Sequence, residues 1–159
     1  MSDSSLRFHA VDPTAELAAD AIGPVTARLE AAFPDAGAVV VQRWATVQLV
    51  DNGANLDGVA CPACGDDLLD VWGDLLSAAW DGEGFADLGV VTPCCSTATS
   101  LDLLEAHWPV GFGRFSIDVH EPGSAWYTPH RPVSDDAVAL LADLIGLTGH
   151  RLGVVWRHL

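Results

Sequence analysis

The stretch Cys61-Pro62-Ala63-Cys64-Gly65 carries the clearest chemistry in this chain. Two cysteines separated by two residues can both reach one tetrahedral zinc ion at about 2.3 Å. A glycine after the second cysteine relieves the tight turn and lets backbone amides point at the thiolates. Pro93-Cys94-Cys95 follows and offers the remaining ligands. Adjacent side chains in extended backbone point to opposite faces, so binding through both Cys94 and Cys95 requires a sharp turn there. The expected ligand set is Cys61, Cys64, Cys94 and Cys95. Three other readings stand beside it. One is a three-cysteine site completed by His107. Another is a set of unmetallated core cysteines or free thiols. The last is a redox-active vicinal pair, although no cation lies close in sequence to lower a thiol pKa.

Four thiolates around Zn²⁺ close the coordination shell and leave a charge of about −2, which disfavours activating a water. A structural metal is therefore expected rather than a catalytic one. A zinc deaminase needs His-x-Glu ahead of its Pro-Cys-x-x-Cys, and no such order occurs here. His-Glu-x-x-His is also missing from the sequence. On the strength of CPACG and TPCC, residues 58–98 resemble the zinc-ribbon or zinc-knuckle class. That resemblance implies a structural zinc and no activity. The wider pattern, a Pro-Cys-Cys followed by a short Leu-rich helix and a Phe-rich strand, resembles uncharacterised bacterial zinc-binding proteins.

A second group of reactive side chains lies in one proline-rich loop: His120, Glu121, Trp126, Tyr127, His130 and Arg131. His120, Glu121 and His130 are the candidates for acid–base catalysis, in a small bacterial enzyme built on the 118–131 loop or on the metal site. The plainer reading is a surface loop pinned by its aromatics. No Gly-x-Ser-x-Gly or Gly-x-Gly-x-x-Gly occurs.

Charge narrows the partners. The chain has 159 residues, 22 Asp and Glu against 7 Lys and Arg, and a formal charge of −15. All the cations are arginines, at 7, 28, 43, 114, 131, 151 and 157. Without lysine there is no Schiff base and no P-loop. Direct nucleic-acid binding is not expected, because it depends on clustered cations. Between Cys64 and Cys94 stand Asp66, Asp67, Asp70, Asp74, Asp81, Glu83 and Asp87, with no cation among them. Such a face would steer a basic protein partner, as in an immunity- or inhibitor-like protein. An acidic nucleic-acid mimic is a further reading. The N-terminus has neither the basic nor the apolar part of a signal peptide, and no apolar run could span a membrane. A cytoplasmic, bacterial protein is expected from this and from the lysine-free, Ala/Gly/Asp/Arg-rich composition.

The elements that must hold these residues follow from periodicity. Strands are expected over 6–11, 38–50, 88–92, 112–120 and 152–159. One helix is expected over 14–33, split or kinked at Gly23-Pro24. A second runs over 66–80, with Leu69, Trp72, Leu76 and Trp80 as its buried stripe. A short third runs from Ser100 to His107. The last starts at an N-cap Ser134, buries Val138, Leu141, Leu144 and Ile145, and ends at Gly146 or Gly149. The outline is strand–helix–strand, an insert, then strand–helix–strand. It predicts a single α+β domain over 1–159, with a small mixed sheet of ferredoxin-like split βαβ order and a zinc-binding insert at 52–110.

Overall fold

A computed structural model describes residues 3–123, 126 and 130–159. Strand β1 (Ser4–Ala10) leads to helix α1 (Ile22–Ala32) and strand β2 (Ala38–Val50). Then come β3 (Val59–Ala60), α2 (Leu69–Ala79), β4 (Gly89–Val91), β5 (Ala98–Ser100) and β6 (Glu105–Ala106). Strand β7 (Gly111–His120), α3 (Asp135–Thr148) and β8 (Leu152–His158) complete the order. The main sheet runs β2-β7-β1-β8. Setting aside the segment between β2 and β7, this is the split βαβ arrangement. Every pairing in that sheet is antiparallel, rather than mixed. Each helical crossover joins two parallel strands, and a strand of the other unit lies between them.

One face of the sheet is apolar and takes helices α1 and α3. Leu6, Phe8, Phe115, Ile117, Val119 and Val154 pack there against Val25 and Leu29 of α1 and Leu140 and Leu144 of α3. Fully burying a side chain such as Leu29 or Leu144 contributes roughly 1.5–3 kcal/mol. Ser134 caps α3 by accepting from the Ala137 amide at 3.2 Å, and Gly149, at φ 74°, ends it in the left-handed region. Val138 is 52% exposed, so the buried stripe is Ala137, Leu140, Leu144 and Thr148.

The insert packs on the other face, and a break in β2 makes that possible. Arg43 pairs with Phe115, yet Gln48 pairs with Gly113, so β2 advances five residues against two on β7. Three extra residues, an odd number, turn the strand over, because side chains alternate faces. Val39 and Val41 accordingly join the first core, while Val47 and Leu49 join a second. That second core holds Val59, Cys61, Leu68, Trp72, Phe85, Leu101, Leu104 and Phe112. Phe85 meets Phe112 edge-on at 5.4 Å, and the Phe85 amide donates to the Val47 carbonyl at 2.9 Å.

Nearer β1, the same second face is polar and buried. Arg7 donates to Asp118 at 3.2 Å and to Asp51 at 3.0 Å, and Arg157 donates to Asp51 at 3.0 Å. Asp118 also accepts from Ser116 at 2.7 Å and Gln42 at 3.3 Å. Burial pushes the Asp51 carboxyl up, but Arg157 and Arg7 outweigh it and hold the group below the usual range. Asp51 follows β2 directly, so this network ties the root of the insert to the sheet. Beside it, the buried His9 imidazole lies between Gly111 and Gly153. A Cβ on either glycine would come within 2.5 or 2.6 Å of the ring.

Three sequence expectations need correction. Residues 14–18 are not helical; only a 3-10 turn at Ala19–Ala21 precedes α1. Pro24 falls in the first turn of α1, where its missing amide costs nothing, so it neither kinks nor splits the helix. Helix α2 begins at Leu69, because 65–68 complete a hairpin, and Trp80 is 43% exposed rather than core. Residues 100–107 form β5, a 3-10 turn and β6 in place of a short helix. No helix among the described residues is long and apolar enough to cross a membrane.

Candidate metal centre

Two hairpins bring the four cysteines together, and they are built alike. In the first, Cys61 follows β3, the Gly65 amide donates to the Cys61 carbonyl at 2.9 Å, and the Cys61 amide donates to the Asp66 carbonyl at 2.9 Å. Ala60 bridges Asp67 across the hairpin. In the second, Thr92 follows β4, the Ser96 amide donates to the Thr92 carbonyl at 2.8 Å, and the Thr92 amide donates to the Thr97 carbonyl at 2.9 Å. Val91 pairs with Ala98. Gly65 at φ 78° and Ser96 at φ 58° hold equivalent left-handed positions. Val59-Ala60-Cys61-Pro62-Ala63-Cys64 therefore superposes in role on Val90-Val91-Thr92-Pro93-Cys94-Cys95. Cys95 takes the place of Cys64, Thr92 that of Cys61, and Cys94 that of Ala63. This turn is the sharp one that an adjacent pair of ligands requires.

The sulfur positions fit a tetrahedral ion. All four Sγ atoms lie within 4.8 Å of one another. Cys61 and Cys95 are 3.8 Å apart, Cys64 and Cys94 3.4 Å, and Cys94 and Cys95 3.9 Å. A Zn–S bond of about 2.3 Å gives a tetrahedral edge of about 3.8 Å. A disulfide would need about 2.05 Å, and all four cysteines are free. The four together could hold a metal ion such as zinc. Cys61 is buried in the second core, and Cys64, Cys94 and Cys95 are exposed.

Local donors divide the thiols into two classes. The Cys64 and Ala63 amides lower the Cys61 pKa. The Thr92 and Thr97 hydroxyls, 3.3 and 3.1 Å from Cys95 Sγ, bring that thiol down to about 6. Cys64 gains from the Asp66 amide, but Cys94, desolvation and the remaining thiols push it up to about 12. Desolvation raises Cys94. Four thiols this close cannot all ionise without a cation among them. The two threonines were not singled out from sequence. The repeated Val-x-Cys/Thr-Pro-x-Cys pattern marks Thr92, and nothing in that pattern marks Thr97.

The other sequence candidates lie elsewhere. His107 Nδ1 donates to both carboxylate oxygens of Asp57, at 3.0 Å each, and stands outside the cysteine cluster. His130 stacks obliquely 6.5 Å from His107 and lines a hollow with Gly65 and Asp67. His120 ends β7 opposite Ser5 and Ala38, and Glu121 follows it. His130 also lies beside Val110, at the opposite end of β7, and ten extended residues span about 30 Å. The structure thus does not bring His120 and Glu121 to His130. Trp126 packs on Phe33 at 4.7 Å, and Tyr127 lies outside the described residues. All seven carboxylates between Cys64 and Cys94 are exposed. Asp67, Asp81 and Asp87 also accept backbone amides of their own turns. Comparison with known protein families, curated proteins and solved structures finds no match to this chain.

Proposed function

We propose that this chain is a non-enzymatic binding protein whose insert is held by a structural zinc and whose acidic face meets a basic protein partner. The observation that carries the metal half is the clustering of the four sulfurs within 4.8 Å of one another, with three separations of 3.4–3.9 Å close to the edges of a zinc tetrahedron. A four-thiolate shell leaves no open position for a substrate or water, which favours a structural role. Cys61 belongs to the second core, so metal binding and packing of the insert are coupled. The binding half rests on the seven exposed carboxylates that lie between the two hairpins in the sequence and on the net charge of −15. An immunity- or inhibitor-like role suits that surface, since a basic target would be drawn in by long-range attraction.

Two measurements test this. Purified protein should carry one zinc per chain, and chelation should abolish the near-ultraviolet dichroism of Trp72 and its aromatic neighbours in the insert. A metal-free protein that keeps this signature would contradict the structural role. For the acidic face, a partner retained at low salt should be lost with the Asp70→Asn, Asp74→Asn double variant. Equal retention by that variant would overturn the acidic-face reading.

A further inference from the structure

We propose that the hollow beside the β2 break is a binding site for a small organic monocarboxylate with a flat apolar body. The hollow measures about 400 Å³ and is lined by Glu16, Leu17, Arg43, Trp44, Ala45 and Arg114. It lies where β2 residues 44–47 stand opposite the single residue Arg114. Bulges of this kind re-aim side chains and recur beside functional sites.

Two of only seven cations in a chain of net charge −15 converge on this hollow. Arg7, Arg28 and Arg157 each donate from Nε to a carboxylate at 3.2 Å or less, and neither of these two does so among the described residues. Arg43 meets the Leu17 carbonyl at 3.4 Å and forms no ion pair among the described residues. Arg114 meets Glu16 through Nη2 at 2.8 Å, while its buried Nε has no acceptor. Buried guanidinium donors are normally satisfied, so an unmet one invites an acceptor. The Glu16 side chain is 70% exposed and free to swing away.

Charge and shape select the ligand class. Two guanidinium groups against one carboxylate leave a single positive charge, which suits a monoanion better than a phosphate dianion. The planar guanidinium fork matches a carboxylate through paired hydrogen bonds. Trp44 and Leu17 give the wall on which an apolar body would lie. The volume is at the small end of the range for ligand pockets.

The test uses the whole protein and follows the indole N–H of Trp44 by nuclear magnetic resonance, assigned with Trp44→Phe. Benzoate is titrated beside uncharged benzamide and inorganic phosphate. Benzoate should shift the Trp44 signal saturably, benzamide should leave it unmoved, and phosphate should bind more weakly. Arg43→Gln should weaken benzoate at least about tenfold, and Glu16→Gln should tighten it by removing the competing carboxylate. Both substituted residues are exposed, and the backbone amide spectrum confirms that each variant is folded. The proposal is overturned if benzoate gives no saturable shift in either the wild type or E16Q, or if benzamide matches benzoate. Tighter binding of phosphate, or unchanged affinity in R43Q, overturns it equally.

Discussion

Thr92 holds in the second hairpin the place that Cys61 holds in the first, and its hydroxyl lies 3.3 Å from the Cys95 sulfur. A threonine thus stands where a regular pair of Cys-x-x-Cys turns would carry a cysteine, and the extra thiol, Cys94, lies two residues further on. Groups that orient metal ligands typically contribute 10–100-fold in affinity. Thr92→Val keeps the shape and the strand preference but removes the hydroxyl. It should weaken zinc binding by about that factor in competition with a chelator. An unchanged affinity would mean that the threonine only fills space.

The Arg7–Asp118 pair is buried, with side chains 7% and 4% exposed, whereas Arg28–Asp143 is 33% and 54% exposed. Removing one partner of a buried pair strands the other charge and costs about 3–5 kcal/mol. Exposed pairs contribute roughly 0–1 kcal/mol. Asp118→Ala should therefore lower the unfolding free energy in urea several-fold more than Arg28→Ala does. Similar losses in the two variants would contradict the role given to the network under the insert.

His9 gives the fold a defined pH response. Burial pushes its pKa below the ordinary value of 6.5, and Arg7 adds to that, while a bond to the Ala10 carbonyl opposes it. The unfolded chain binds a proton at His9 more readily than the folded one does. Its contribution is complete above pH 6.5 and shrinks as pH falls below that value. Between pH 7.5 and 5 the wild type should lose more stability than His9→Gln. Parallel losses would show that the imidazole is not the titrating group.

The glycines around that ring make a steric prediction. A methyl at Gly153 would lie 2.6 Å from the imidazole, in a site with no room on the β8 side. Gly153→Ala should cost about 1–3 kcal/mol by overpacking. Gly73→Ala, where nothing stands within 4 Å, should be neutral or stabilising. Thermal melts of the two variants distinguish the cases.

Much of this was legible in the residues. Alternation marked β7 and its faces, Ser134 marked the start of α3 and Gly149, rather than Gly146, its end, and CPACG marked the first hairpin. What escaped depended on long-range pairing. Trp44-Ala45-Thr46-Val47 reads as unbroken strand, and only its register against β7 reveals the three extra residues that turn β2 over. The second hairpin was obscured because a threonine stands where spacing asks for cysteine. The helix expected at 14–33 starts late because Ala15 and Leu17 reach the first core from a non-helical stretch ahead of the 3-10 turn.

On the proposed function, Cys61, Cys64, Cys94 and Cys95 together bind one zinc ion and no histidine takes part. X-ray absorption at the zinc edge of the purified protein tests it most directly. Four sulfur neighbours at about 2.3 Å and no nitrogen shell are the expected result. Three sulfurs with one imidazole nitrogen, or no zinc in the folded protein, would contradict it.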